Sequence, residues 1–321
     1  MRTCSVPVTL SREWYRTSSL RGYFKIVAAL TLMASAVPVT DAWGQGATKA
    51  TSQDLALTTK DGFEIKITYF KSPAGQEAPV VVMLHGKGGN RLVWKGYAEL
   101  LQQKAEYAVI TVDLRGHGES TANGGATGKK TESTIKAKDY GNMIAFDMEA
   151  IKKFIFDEHQ SKNLNMNKLA IVAADVTTPI AIAYTEVDWA KQPYDDSPTP
   201  GLGTPRGQDV QAIALLSPES NAPGVPIPKA LGDIRNLRRP VLIAFGAKNA
   251  GDQASAKKVY EVLSPKKEDP IIVYKPYEVK LRGTDLLGQG LKVEEDLFNF
   301  LFEHVKSYKS PWRDRKSPSV D

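Results

Sequence analysis

Residues 78–90 read APVVVMLHGKGGN: a short apolar run rich in β-branched side chains, then a histidine and a cluster of glycines. A run of that length and texture suits a strand buried on both faces, and the glycines mark a sharp turn where it ends. The same texture returns at 107–114, 168–173, 210–216, 240–245 and 270–274. Between these runs the apolar period changes. Ile144, Met148, Ile151 and Ile155 recur at helical spacing, and Val293, Leu297, Leu301 and Val305 repeat it near the end. Upstream, residues 55–70 alternate around Lys60-Asp61-Gly62, the signature of two antiparallel strands joined by a tight hairpin. Strands alternating with helices imply right-handed crossovers. The expectation is an α/β domain over residues 53–305: a doubly wound, mostly parallel sheet, helices on both faces and an N-terminal antiparallel hairpin. Residues 192–208 and 218–240 read as loops over the sheet, the second with room for one short helix. Neither is long enough for a lid domain, so a shallow, open pocket is expected.

Composition is consistent with such a domain. Of 321 residues, 42% are hydrophobic, 8% aromatic and 24% charged, values of a globular chain rather than a disordered, collagen-like or polytopic membrane one. The formal charge is +6, from 42 basic and 36 acidic residues. Residues 1–42 hold five of the former and two of the latter, so the remainder carries 37 against 34, or +3, and no nucleic-acid partner follows. Those 42 residues have their own pattern. Arg12, Arg16, Arg21 and Lys25 precede an apolar run over 26–37, followed by Ala34-Ser35-Ala36 and Thr40-Asp41-Ala42 as small-residue cleavage sites. This is the layout of a secretory signal peptide, too short for a span that needs about 20 residues. Export to the periplasm or the medium is expected, with no transmembrane span after leader removal. Residues 43–52 would be a linker and 306–321 a solvated basic tail. The single cysteine, Cys4, falls within the leader, leaving no disulfide or thiol nucleophile, and no His/Asp/Glu cluster has metal-ligand spacing. No metal or cofactor is expected.

The turn His85-Gly86-Lys87-Gly88-Gly89-Asn90 and the turn Asp113-Leu114-Arg115-Gly116-His117-Gly118-Glu119-Ser120 each follow a strand directly, and there the chain resembles the α/β-hydrolase superfamily. Among its branches it looks most like the small, lid-poor esterase and dienelactone-hydrolase-like members. The resemblance implies a Ser, Asp/Glu and His triad, in that chain order, at the carboxyl ends of three strands. It also implies an oxyanion hole from amides at Lys87 or Gly88 and at Val176. The glycines of 86–89 suit that use, because they let the backbone turn while leaving N–H groups free.

At the triad positions the chain departs from the pattern. The strand Leu169-Ala170-Ile171-Val172 runs into Ala173-Ala174-Asp175-Val176-Thr177, so Asp175 stands where the serine belongs and Ala173 and Thr177 replace the flanking glycines. A β-branched Thr177 at so crowded a turn predicts a relaxed elbow. Gly246-Ala247-Lys248-Asn249 puts Asn249 at the acid position, with Asp252 as a substitute three residues on. Leu281-Arg282-Gly283 puts Arg282 at the histidine position. Arginine, with a pKa above about 12, cannot serve as a base. Four histidines remain: His85 and His117 in the early turns, His159 at a helix end and His304 on the last helix.

These residues predict an ion pair between Asp175 and Arg282 across the former active site, with Asn249 completing the network. The reading carried forward is an exported hydrolase-fold protein without triad catalysis that binds a small-molecule ligand or a protein partner. Two alternatives stand beside it. One is an active ester hydrolase with a rearranged site, using Asp175, Ser217 or Ser120 with His117 as base. The other is a structural role in the cell envelope resting on the basic tail.

Overall fold

A computed structural model of the chain describes residues 52–121, 131, 134–199, 202–265 and 269–317. The expected leader over 1–42 lies outside the described residues, as does the linker up to residue 51; Ser52 opens the first strand.

The run at 78–84 becomes β3 (Val80–Leu84), all five residues buried. Period-two geometry sends its side chains to opposite faces, and each face has its own core. Val80, Val82 and Leu84 join one cluster, which takes in Met148, Ile151 and Ile155 of α3 (Met148–Gln160), Ile180 and Tyr184 of α4 (Thr178–Ala190), Ile234 of α5 (Ile227–Asn236) and Val259 of α6 (Ala250–Leu263). Val81 and Met83 join the other, with Tyr97 and Leu101 of α1 (Lys95–Ala105) and Leu297 and Leu301 of α7 (Val293–Leu301). Helices on both faces are why this strand has no polar alternation.

The remaining strands are β1 (Ser52–Thr58), β2 (Glu64–Phe70), β4 (Ala108–Asp113), β5 (Leu169–Ala174), β6 (Val210–Leu216), β7 (Val241–Gly246) and β8 (Ile272–Tyr277). They form one eight-stranded sheet in the order β1-β2-β4-β3-β5-β6-β7-β8. β1 pairs antiparallel with β2, and β2 with β4; the other pairs are parallel. From β3 the chain moves outward to β4, then returns to the other side of β3 as β5. That reversal is the switch point, and a crevice opens at the carboxyl ends of β3 and β5.

Two details differ from the sequence expectation. The helical periodicity around Ile144 is broken: α2 (Ala137–Asn142) passes into α3 through a wider turn at Met143–Asp147, which holds Ile144. The described part of the tail, up to Ser317, is also not a solvated end. Trp312 stacks on His159 at 5.0 Å and donates to its carbonyl, and the Arg315 guanidinium, 2% exposed, bonds Asn167 and Asp209. Lys152 pairs with both Asp188 and Asp209 beside it. Burial pushes the Asp209 carboxyl up, and Lys152 and Arg315 together bring it below its ordinary value. Of the tail's basic residues, the one at 315 is therefore an internal counter-ion. Among the described residues no helix is long and apolar enough to cross a membrane.

Candidate functional site

Five strand ends supply the crevice. After β3 come Gly86 and Lys87, after β5 Asp175, after β6 Ser217 and Glu219, after β7 the turn to Asn249 and α6 with Asp252, and after β8 Arg282 and Gly283. The strand-to-helix elbow at Asp175 is intact. Asp175 has φ 47°, the left-handed region that a non-glycine residue rarely occupies, and it opens a tight turn, Asp175–Thr177, leading into α4. The relaxed elbow expected from Thr177 is thus corrected. The Thr177 hydroxyl lies 2.9 Å from the His85 carbonyl and 3.0 Å from that of Ala174, and it accepts from the Ala174 amide at 3.2 Å. The threonine is a brace where a strain was expected.

Asp175 is 5% exposed, and its two carboxylate oxygens are separately engaged. Oδ1 accepts from Arg282 Nε at 2.9 Å; Oδ2 accepts from the Lys87 amide at 3.3 Å. The carboxylate therefore takes up the oxyanion-side amide that the sequence reading assigned to the loop at Lys87 and Gly88. Val176 is the next residue of the same turn. The space around this carboxylate is tailored to it: a Cβ at Gly86 would lie 2.6 Å from Oδ2, and one at Gly283 (φ 55°) only 2.0 Å from it. Glycine at both positions is what lets the carboxylate sit between the loops.

Arg282 holds more than Asp175. One of its terminal nitrogens donates to Glu219 at 2.7 Å, and Nε lies 3.3 Å from Asp252 Oδ1. The network is closed by Asp252 and Glu219, with Asn249 outside it. That corrects the expected role of Asn249, whose side chain accepts from the amides of Gly251 and Asp252 and so caps the start of α6. An Asn ahead of a helix satisfies amides that lack intrahelical partners, which is the local reason this residue type sits here. Glu219 was missed in the sequence; its signal was position alone, three residues beyond the end of β6. Burial raises the Asp175 carboxyl, against the pull of Arg282 and the Lys87 amide. Burial likewise raises Asp252, against the Ser217 hydroxyl and Arg282.

The residues of the rearranged-site alternative are occupied in other ways. The Ser120 hydroxyl donates to the Asp113 carbonyl and accepts from the Lys66 amide, tying turn to strand. Ser217, fully buried with φ 49°, accepts from the Gly283 amide at 2.7 Å. His117 is 6% exposed, with its ring 4.4 Å from that of His85, and burial pushes His85 down to about 4. His159 lies under Trp312 and His304 against Phe300. Arg115 donates to Asp147 and Asp61, which ties its turn to the β1–β2 hairpin and to the turn ahead of α3. Among the described residues no cluster of three or more His, Cys, Asp or Glu could hold a metal ion.

The family model described as the alpha/beta hydrolase fold matches residues 79–237, from the start of β3 to the end of α5. The chain belongs to the α/β-hydrolase superfamily. Over 87 residues this hydrolase-fold chain is 32% identical to protein phosphatase methylesterase 1 of Bos taurus and of Mus musculus. Those residues are 27% of the chain, which thus spans 20% of the length of these curated relatives. Among solved structures, an esterase of Pyrococcus furiosus superposes with TM-score 0.56 at 14% identity, covering 80% of this chain and 93% of that one. A fungal esterase of Rhizomucor miehei gives TM-score 0.56 at 14% identity, covering 80% and 83%. At such identity the structural likeness is one of fold.

Proposed function

We propose that this hydrolase-fold protein carries out no triad chemistry and that its former active site is a binding site organised around an internal ion pair. The observation that carries the reading is the Asp175–Arg282 pair. An attacking carboxylate must present a free oxygen, and here one oxygen faces a guanidinium and the other an amide. Attack on an ester carbonyl would expel the alkoxide and leave a mixed anhydride on Asp175, to be hydrolysed by water activated by a base, help worth about 10² to 10⁴ in rate; Arg282, at the histidine position, keeps its proton at any physiological pH. The fold outlives the chemistry, since function resides in side chains grafted on a scaffold. The methylesterase and esterases among the similar proteins favour ester hydrolysis as the second reading.

Turnover of p-nitrophenyl acetate by the full chain separates the two. The expected result is a wild-type rate equal to that of Asp175→Ala, with activity gained by Asp175→Ser/Arg282→His. Asn249 is left unchanged in that variant because Asp252, already 3.3 Å from the residue at 282, is the acid the geometry offers. Wild-type turnover abolished by Asp175→Ala would refute the proposal.

A further inference from the structure

The network around Arg282 is out of balance. Asp175, Asp252 and Glu219 bring three carboxylates to one guanidinium, a formal −2 when all are ionised. Asp252 is 3% exposed, and while Oδ1 faces Arg282, its Oδ2 is buried with no hydrogen-bond partner. A buried carboxylate oxygen without a donor is costly and asks for one. Arg282 does not fill the demand: it donates through Nε and one terminal nitrogen only. The elbow beneath keeps its left-handed backbone at a residue that is not glycine, and such strain persists at sites whose surroundings impose it.

Resting on the reading that this site does no triad chemistry, we infer that Asp175, Asp252 and Glu219 form a cradle for an organic cation bearing N–H donors, a primary ammonium or guanidinium head. Arg282 is the chain's own guanidinium seated in that cradle. The way in is set by exposure. The Glu219 side chain is 35% exposed and that of Arg282 40%, whereas the two aspartates lie beneath. A ligand cation meets Glu219 first, displaces the Arg282 fork there, and its remaining N–H groups reach the aspartates. The ligand is organic because the cluster lacks metal-ligand geometry. It must carry N–H because hydrogen bonds to a charged acceptor, rather than charge alone, satisfy an orphaned oxygen.

Titration calorimetry on the full chain tests this with methylguanidinium and propylammonium chlorides, against tetramethylammonium and sodium chlorides at equal ionic strength. One-site saturable binding is expected for the first two and none for the others. Glu219→Gln, a half-exposed change that leaves the buried aspartates paired, should weaken binding about tenfold, the loss of one charged hydrogen bond. Arg282→Ala should tighten it by removing the internal competitor. Equal heats with tetramethylammonium, or unchanged binding in Glu219→Gln, would overturn the inference. Absence of saturable binding without ester turnover sinks the cation site alone, whereas wild-type turnover sinks the non-catalytic reading.

Discussion

Replacing Arg282 with alanine strips the guanidinium from two carboxylates that cannot reach bulk water. Asp175 and Asp252 are 5% and 3% exposed, so their charges are stranded, while the arginine side chain being removed is itself 40% exposed. Breaking a fully buried pair costs about 3–5 kcal/mol. An exposed pair is worth about 0–1 kcal/mol. With buried acids and a half-solvated base the loss lies between these, about 2 kcal/mol, because water partly replaces the guanidinium. At about 2–4 °C per kcal/mol for a domain of this size class, the melting temperature falls by roughly 4–8 °C at pH 7. The sign with pH follows from the raised carboxyls. A group whose folded pKa lies above its unfolded value favours the native state below the unfolded value, near 3.8, and that contribution is lost as pH rises through the folded value. Removing Arg282 raises both acids further, so the deficit against wild type shrinks as pH falls from 7 toward 4. Scanning calorimetry across that range, with Asp175→Asn/Arg282→Ala as the partner variant, reads both effects. The double variant should recover part of the loss, since a neutral amide leaves one stranded charge fewer. An unchanged melting temperature in the single variant, or a deficit that grows on acidification, refutes the argument.

Gly283→Ala should cost more than Gly86→Ala in urea unfolding, because its Cβ would lie 2.0 Å from the Asp175 carboxylate at a left-handed φ of 55°, against 2.6 Å at Gly86; the reverse order would place the carboxylate elsewhere. Arg315→Ala leaves Asp188 and Asp209 with Lys152 alone, in a cluster where Asp209 and Arg315 are each 2% exposed. The expected loss is about 3–5 kcal/mol by urea unfolding at pH 7. Because Asp209 has a lowered pKa in the fold, its contribution is present above the unfolded value and fades as pH falls below it, so the penalty diminishes in acid. A loss under 1 kcal/mol would return the tail to the status of a surface arm.

What the sequence made legible is what depends on short-range pattern. Apolar runs of five to seven residues give the parallel strands, and Lys60-Asp61-Gly62 gives the hairpin, because burial on two faces and a tight turn each restrict residue type locally. Asp175 and Arg282 were legible because each follows a strand or its closing loop, where this topology gathers side chains. Asn249 was misread for a physical reason: an amide at the start of a helix serves as a cap, and that role competes with any role in the crevice. The counter-ion function of Arg315 was invisible, since its carboxylate partner lies 106 residues earlier and composition near the chain end suggested only solvation.

Thr177 shows most clearly why a local rule fails at this site. Crowding by a β-branched residue argued for a looser turn, yet the turn keeps φ 47° at Asp175 with Thr177 in place of glycine. The hydroxyl explains the difference. It bridges the loop after β3 and the end of β5, so the crowded side chain supplies hydrogen bonds that hold the two strand ends together. The Thr178 hydroxyl repeats the device, donating to the Asp175 carbonyl and accepting from the Glu219 amide, which fastens the third strand end to the same elbow. Two hydroxyls thus fix the backbone on which Asp175 and Glu219 face Arg282. A hydroxyl brace of this kind holds the sharp strand-to-helix turn in place with an aspartate where the resemblance puts a serine, the rigid backbone that the proposed binding role would use.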